Sequence, residues 1–192
     1  MIDKIRKRIE SHVPVSDETM NELESHFETF DIKKQETLVH YGDSNRNLFF
    51  IISGSFEISF VLNDGSKKTI WFFMDELFDV AICPDSLIME VPTSYEITAL
   101  ENSRVMKIRY QILLDIFDKA PHLYKYKAES IAKDLMIMNE IRSRIAVLKP
   151  IEVMEYLNHN FPMLIKRIPA KNLASLMGIT PEWYSKLKKA RT

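Results

Sequence analysis

The chain has 192 residues, 46% hydrophobic, 28% charged and 10% aromatic, with a formal net charge of -1. Four glycines and eight prolines exclude collagen-like or low-complexity material, and a lone cysteine, Cys83, excludes an intrachain disulfide or a multi-cysteine zinc or iron–sulfur site. No apolar run reaches the roughly 18–20 residues of a membrane span, the opening MIDKIRKRIESHVP is too charged for a secretory signal, and a reducing, cytoplasmic location is expected.

Residues 1–29 alternate apolar and charged side chains at helical spacing. Ile2, Ile5 and Ile9 form a first stripe. Ser16 is placed to N-cap a second short helix through Met20, Leu23 and Phe27, with Asp17 and Glu18 in its first turn, where the helix dipole favours anions. Thr19 stands where a capping box needs Glu or Gln.

From Phe30 to about Arg109 the chain reads as short strands: 37–40, 48–52, 56–62, 68–73, 95–100 and 104–109. Phe56, Ile58 and Phe60 alternate with Glu57 and Ser59, the period of a half-buried strand. Gly42-Asp43, Ser53-Gly54-Ser55 and Asn63-Asp64-Gly65 mark turns, the last a hairpin signal. Regularly spaced short strands predict a sandwich, jelly roll or barrel.

After Tyr110 the period changes. Ile131, Leu135, Met138 and Ile145, widened by Ile141 and Leu148, predict one amphipathic helix over 121–148, ended by Lys149-Pro150. Such a helix would be about 42 Å long, more than a small domain needs to cover its own core. The narrow stripe at heptad spacing favours a two-helix dimer seam over packing on the chain's own sheet.

The rest is a small helical unit. A helix begins near Ile151 and ends near Asn158-His159-Asn160, and a tight pair follows at 170–177 and 181–190. From Leu164 to Thr192 there are seven cations and one anion, net +6, which leaves -7 for the remainder. An acidic body with a short basic tail is a nucleic-acid signal, although a solvated lysine-rich terminus has the same composition. Within the pair, Ala174 permits close helix crossing, Gly178 can end a helix in the left-handed conformation, and Ile179 plugs the turn. Thr180 can cap the second helix, with Pro181 at its first position. Trp183, Tyr184 and Leu187 then fall on an inward stripe, and Glu182, Ser185, Lys186 and Lys189 on the outward one. This is a helix–turn–helix reading of double-stranded DNA. Ser185 and Lys186 would reach base edges or phosphates, Glu182 a cytosine amino group, and Lys171 and Lys189 phosphates. A plain helical hairpin with a charged exterior is the alternative.

The segment 167–182, RIPAKNLASLMGITPE, resembles the helix–turn–helix of Crp/Fnr-type bacterial transcription regulators, and Ser185-Lys186 stands where many members carry Ser-Arg. LVHYGDSNRNLFFIISG, residues 38–54, resembles the first strands of that family's cyclic-nucleotide-binding-like β-roll. Asn63-Asp64-Gly65 matches its hairpin and ITALE, residues 97–101, a late strand. The resemblance covers roughly 12–192. It implies an α+β chain in three parts: a sensor β-roll or jelly roll over 1–120, a dimerisation helix over 121–148, and a helix–turn–helix domain over 149–192. It further implies a homodimeric, non-enzymatic, cytoplasmic DNA-binding regulator without a membrane partner.

Two departures qualify it. The family's phosphate-binding cassette pairs Gly-Glu at a helix N-terminus with an arginine followed by a small hydroxyl residue and alanine. Here the matching stretches are Asp75-Glu76-Leu77-Phe78-Asp79-Val80-Ala81 and Pro92-Thr93-Ser94-Tyr95-Glu96, with neither glycine nor arginine. A cyclic phosphate would meet Asp75, Glu76, Asp79 and Glu96, so cyclic AMP and cyclic GMP are not expected to bind. Asp79, Ser94 and Tyr95 would line a pocket for another, unidentified effector, or the pocket is packed by side chains. The β-hairpin wing common after the recognition helix is not expected here, and Pro181 occupies a position where the cyclic-AMP receptor protein has a DNA-contacting arginine. These losses leave open an alternative: a ligand-binding or protein-interaction module that no longer binds DNA. No cofactor or metal is expected, because the five histidines are scattered without ligand spacing. Cys83 reads as a buried small hydrophobe rather than a redox switch. No Gly-x-Ser-x-Gly, His-Glu-x-x-His or Gly-x-x-x-x-Gly-Lys motif suggests an enzyme.

Overall fold

The computed structural model describes residues 2–189. Two helices, α1 (Ile2–Glu10) and α2 (Asp17–Ser25), lead into eight strands: β1 (Glu28–Ile32), β2 (Thr37–Val39), β3 (Asn47–Ser53), β4 (Ser55–Val61), β5 (Lys67–Met74), β6 (Val80–Ala81), β7 (Tyr95–Ala99) and β8 (Ser103–Arg109). A π-helical turn at Asp85–Met89 separates β6 from β7. The strands form two antiparallel four-stranded sheets, ordered β1-β8-β3-β6 and β2-β7-β4-β5. Six helices follow: α3 (Tyr110–Lys119), α4 (Leu123–Val147), α5 (Pro150–Asn160), α6 (Pro162–Arg167), α7 (Ala170–Leu176) and α8 (Pro181–Lys189). Ala190, the expected end of the last helix, and Arg191 of the basic tail lie outside the described residues.

Alternation decides which side chains fill the roll. Phe49 and Ile51 of β3, Phe56 and Ile58 of β4 and Ile97 of β7 are buried between the sheets. Leu48, Phe50 and Ile52 point the other way. They meet Ile5, Ile9, Leu23, Leu113 and Phe117, so α1, α2 and α3 cap the outer face of the first sheet. Ser16 caps α2 as expected, its hydroxyl accepting from the Thr19 N–H at 3.1 Å. Gly54 joins β3 to β4 at φ +113°, and a Cβ there would overlap the Ser103 side chain, so the turn requires glycine on both counts.

The sequence reading passed over α3 and the π-helical turn, and periodicity did not mark three further elements. β1 is largely exposed and lacks a clean alternation, although its whole length pairs with β8. β6 has two residues, too few for any period. α6 is a short helix begun by Pro162, inside what read as a connection. The long helix runs over Leu123–Val147, close to the expected 121–148, but its apolar stripe is divided. Ile131 and Leu135 are 48% and 52% exposed, whereas Met138 and Ile145 are partly buried against the core that includes Val153 and Leu157. The cause is α5, which packs beside the last turns of α4. The Arg144 guanidinium lies 3.9 Å from the centre of the Tyr156 ring. Ile141 is fully buried.

Candidate functional site

The C-terminal pair is built as its local residues dictate. Ala174 is fully buried, Gly178 takes φ +69°, and the Ile179 N–H closes the turn on the Ala174 carbonyl at 3.0 Å. Thr180 caps α8 by accepting from the Trp183 N–H at 3.2 Å. Tyr184 is buried and Leu187 partly so, and together they set the inward face. Trp183, expected on that face, is instead 47% exposed. One residue before Tyr184, it falls 100° away around the helix and misses the narrow contact with α7.

The outward face of α8 gathers Glu182, Ser185, Lys186 and Lys189, all exposed, around a shallow concavity bordered also by Pro181. Thr180 sits at the head of this face. Lys171 is exposed in the first turn of α7, the other helix of the pair. Three lysines and two small hydroxyl residues are therefore offered to solvent by a pair whose inner side is anchored. That arrangement can neutralise phosphates and donate to base edges.

The anchoring is a feature that sequence reasoning missed. Arg167, just before α7, donates to Asp75 at 2.5 Å and Glu101 at 2.6 Å, with Glu76 at 3.5 Å. Asn172 of α7 is buried, and its amide donates to Glu57 of β4 at 2.5 Å. The same carboxylate accepts from the Thr69 hydroxyl of β5. The Thr69 N–H donates in turn to the Ser175 hydroxyl of α7 at 3.1 Å. The β4–β5 pairing shifts register between Ile58 and Ser59, next to this junction, and the irregularity accompanies a strand N–H that bonds a helix instead of its neighbour strand. Glu57 and Phe72 are register partners, so buried Phe72 shares the face that α7 covers. Asp75 and Glu76, expected to repel a cyclic phosphate, thus answer a cation of the chain's own head.

Each of the three expected effector-pocket residues is engaged within the chain. Asp79 forms an ion pair with Arg8 of α1, and its backbone carbonyl accepts from the Ile51 N–H at 2.7 Å. Ser94 donates its N–H to Asp85 at 2.8 Å, and Tyr95 meets Phe60 edge-to-face with ring centres 5.6 Å apart. Asp85, which sequence reasoning did not single out, also accepts from the Thr93 hydroxyl at 2.8 Å and fixes the turn before β7. Between the sheets, Trp71 packs edge-to-face on Phe78 at 5.2 Å, with Cys83 buried in the same core. Burial pushes the Cys83 thiol up to about 11, so at neutral pH it is a protonated packing group. Among the described residues no group of three or more histidine, cysteine or acidic side chains could hold a metal ion. No helix there is long and apolar enough to cross a membrane.

Residues 29–120 match the family described as the cyclic nucleotide-binding domain. No curated protein sequence matches the chain. Among solved structures, the c-di-GMP responsive global regulator CLP of Xanthomonas campestris is similar at TM-score 0.71 and 17% identity, over 91% of each chain. FixK2 of Bradyrhizobium japonicum is similar at TM-score 0.68 and 14% identity, over 85% of this chain and 83% of that one. The catabolite activator protein of Thermus thermophilus is similar at TM-score 0.51 and 19% identity, over 92% of this chain and 83% of that one. At these identities the likeness is one of fold.

Proposed function

We propose that the chain, built on a cyclic nucleotide-binding fold, is a sequence-specific DNA-binding transcription regulator that acts as a homodimer. The carrying observation is the pair α7–α8. Its two helices are joined by a tight glycine turn and anchored on their inner side, and the second presents Glu182, Ser185, Lys186 and Lys189 outward, which supports reading the pair as a helix–turn–helix. The likeness in fold to a global regulator over nine-tenths of both chains supports that reading.

In this reading the N-terminal half of α8 enters the major groove. Ser185 and Lys186 reach base edges, Glu182 accepts from a cytosine amino group, and Lys189 and Lys171 hold phosphates. Thr180 keeps the first turn of α8 in register with the groove. The exposed turn of α4 around Ile131 and Leu135 is the seam with a second copy, and Met138 and Ile145 flank it. The two heads then read half-sites about one helical turn apart. The roll interior does not take cyclic AMP, because Trp71 and Phe78 fill it and the neighbouring acids are paired within the chain.

The test is selection of a random duplex library on the purified protein at about 50–100 mM salt, where phosphate contacts are strong. An enriched palindrome is the expected result; retention without enrichment would overturn the reading. Replacing Lys186 and Lys189 together by alanine should leave the dimer intact. The same change should weaken binding to every sequence and flatten the salt dependence by about two phosphate contacts.

A further inference from the structure

The first half of helix α4 mixes polar and apolar side chains on the face it turns to the sheet. Leu123 and Tyr126 are buried there, whereas Ile131, at the rim of the same face, and Leu135 are exposed. Lys127, Ser130 and Asp134, at spacings of three and four residues, turn inward and line a cavity of about 190 Å³ on the outer face of the first sheet. Apart from Arg8 and the tyrosines Tyr110 and Tyr126, the rest of that cavity is apolar, with Leu23, Phe27, Phe50, Leu87 and Phe117 among its lining. It lies outside the roll, on the far side of β3 from Trp71 and Phe78, and is separate from the space between the sheets where the effector pocket was expected.

The polar groups at the α4 wall are unequally matched. Arg8 reaches in from α1, pairs with Asp79 and donates to the Ser130 hydroxyl at 2.6 Å. Asp134 faces Arg8 and Lys133, and burial raises its carboxyl above the ordinary range. Lys127 alone has no carboxylate. Its ammonium donates to the Tyr110 hydroxyl at 2.8 Å and lies 4.9 Å from the centre of that ring, with no ion pair among the described residues. An ammonium at the edge of an apolar cavity, answered by the Tyr110 hydroxyl and the rings of Tyr110 and Tyr124 but by no carboxylate among the described residues, is an incomplete anion site.

We propose that this cavity binds a small monocarboxylic acid, its apolar body among Leu23, Phe27, Phe50 and Phe117 and its carboxylate on Lys127. Convergent polar groups at the end of an apolar cavity are the ordinary signature of a small-molecule site. A cavity of about 150 Å³ holds one benzene molecule, so this one accommodates a body of about six to eight carbons. The ligand would bridge α1, the sheet and α4, and its binding does not depend on whether the protein reads DNA.

The test is calorimetric titration of the full chain with sodium octanoate, octan-1-ol and octylamine. Octanoate should bind saturably, roughly tenfold or more tighter than octan-1-ol, the worth of one charge-assisted hydrogen bond. Octylamine should bind more weakly than octanoate. Lys127→Met should erase the advantage of octanoate over octan-1-ol. Ile88→Trp, at an exposed residue of the cavity mouth, should weaken both. No saturable octanoate binding up to about 10 mM, equal binding of the alcohol, or preference for the amine would each overturn the proposal. The comparison of the three ligands on the unsubstituted protein decides the matter even if a variant fails to fold.

Discussion

The two sheets of the roll are covered with different proportions of polar contact. The outer face of β1-β8-β3-β6 is sealed by α1, α2 and α3 through a continuous apolar cluster. The outer face of β2-β7-β4-β5 is covered by the C-terminal head, and the contact includes side chains that water can also satisfy: Arg167 on Asp75 and Glu101, Asn172 on Glu57, Ser175 on Thr69. Both covers would expose apolar surface on lifting, because Leu173, Ala174 and Met177 of the head join the apolar cluster of the roll, but the second cover also carries polar pairs that water can replace. The first sheet is therefore the more fixed base of the molecule, and the second is the face on which the head is held in part by replaceable contacts.

The largest expected effect lies on the fixed side. Leu23→Ala removes a side chain 1% exposed and should lower global stability by about 2–5 kcal/mol, read by urea unfolding as one cooperative transition. If α1–α3 came apart before the head in the natural protein, the assignment of fixed and movable faces would be reversed. Next comes the layer between the two faces. Cys83 is held above its ordinary value of 9.0, at about 11, so its contribution is complete below pH 9 and is lost as pH rises through 11. The stability gap between the natural protein and Cys83→Ala should therefore narrow over that interval, by on the order of 2–3 kcal/mol.

Smaller effects sharpen the movable side. Asn172→Ala leaves a Glu57 oxygen without its donor and should cost about 1–3 kcal/mol. Amide exchange at Thr69 and in α7 should speed up, while exchange in β3 and β8 stays unchanged. Arg167→Ala should cost about 1 kcal/mol, because its partners are partly exposed, and 1 M salt should largely reproduce its effect. Proteolysis between α6 and α7 is the sensitive readout for that variant. An Arg167→Ala protein that loses protection in α2 instead would contradict the comparison.

What the sequence made legible follows from the range of each interaction. The hairpin at Asn63-Asp64-Gly65, the Ser16 cap and the turn between α7 and α8 are encoded within a few residues, and each is found where those residues place it. β1 escaped because it has a poor alternation of its own and gains its structure from β8, more than seventy residues on. The outward face of α8 was readable from a 100° period. The head's seat on the roll was not: Arg167 and Asp75 are 92 residues apart, and neither side chain is unusual in its local context. The inward-facing ladder of Lys127, Ser130 and Asp134 was hidden for a related reason. A reading that looks for the apolar stripe of a helix passes over a polar one that turns toward the core.

Arg8 has a consequence for the order of assembly. It belongs to α1, yet its hydrogen-bond partner Ser130 lies 122 residues later. The sheet beneath α1 is equally incomplete until β8 has arrived to pair with β1 and β3. Until β8 and α3 have been made, therefore, α1 has no complete surface to rest on, and its stripe of Ile5 and Ile9 stays uncovered. Closure over such sequence distances is entropically slow. The seat of α1 thus depends on α4 for its completion, and truncation before α4 should yield an aggregation-prone roll rather than a free-standing one.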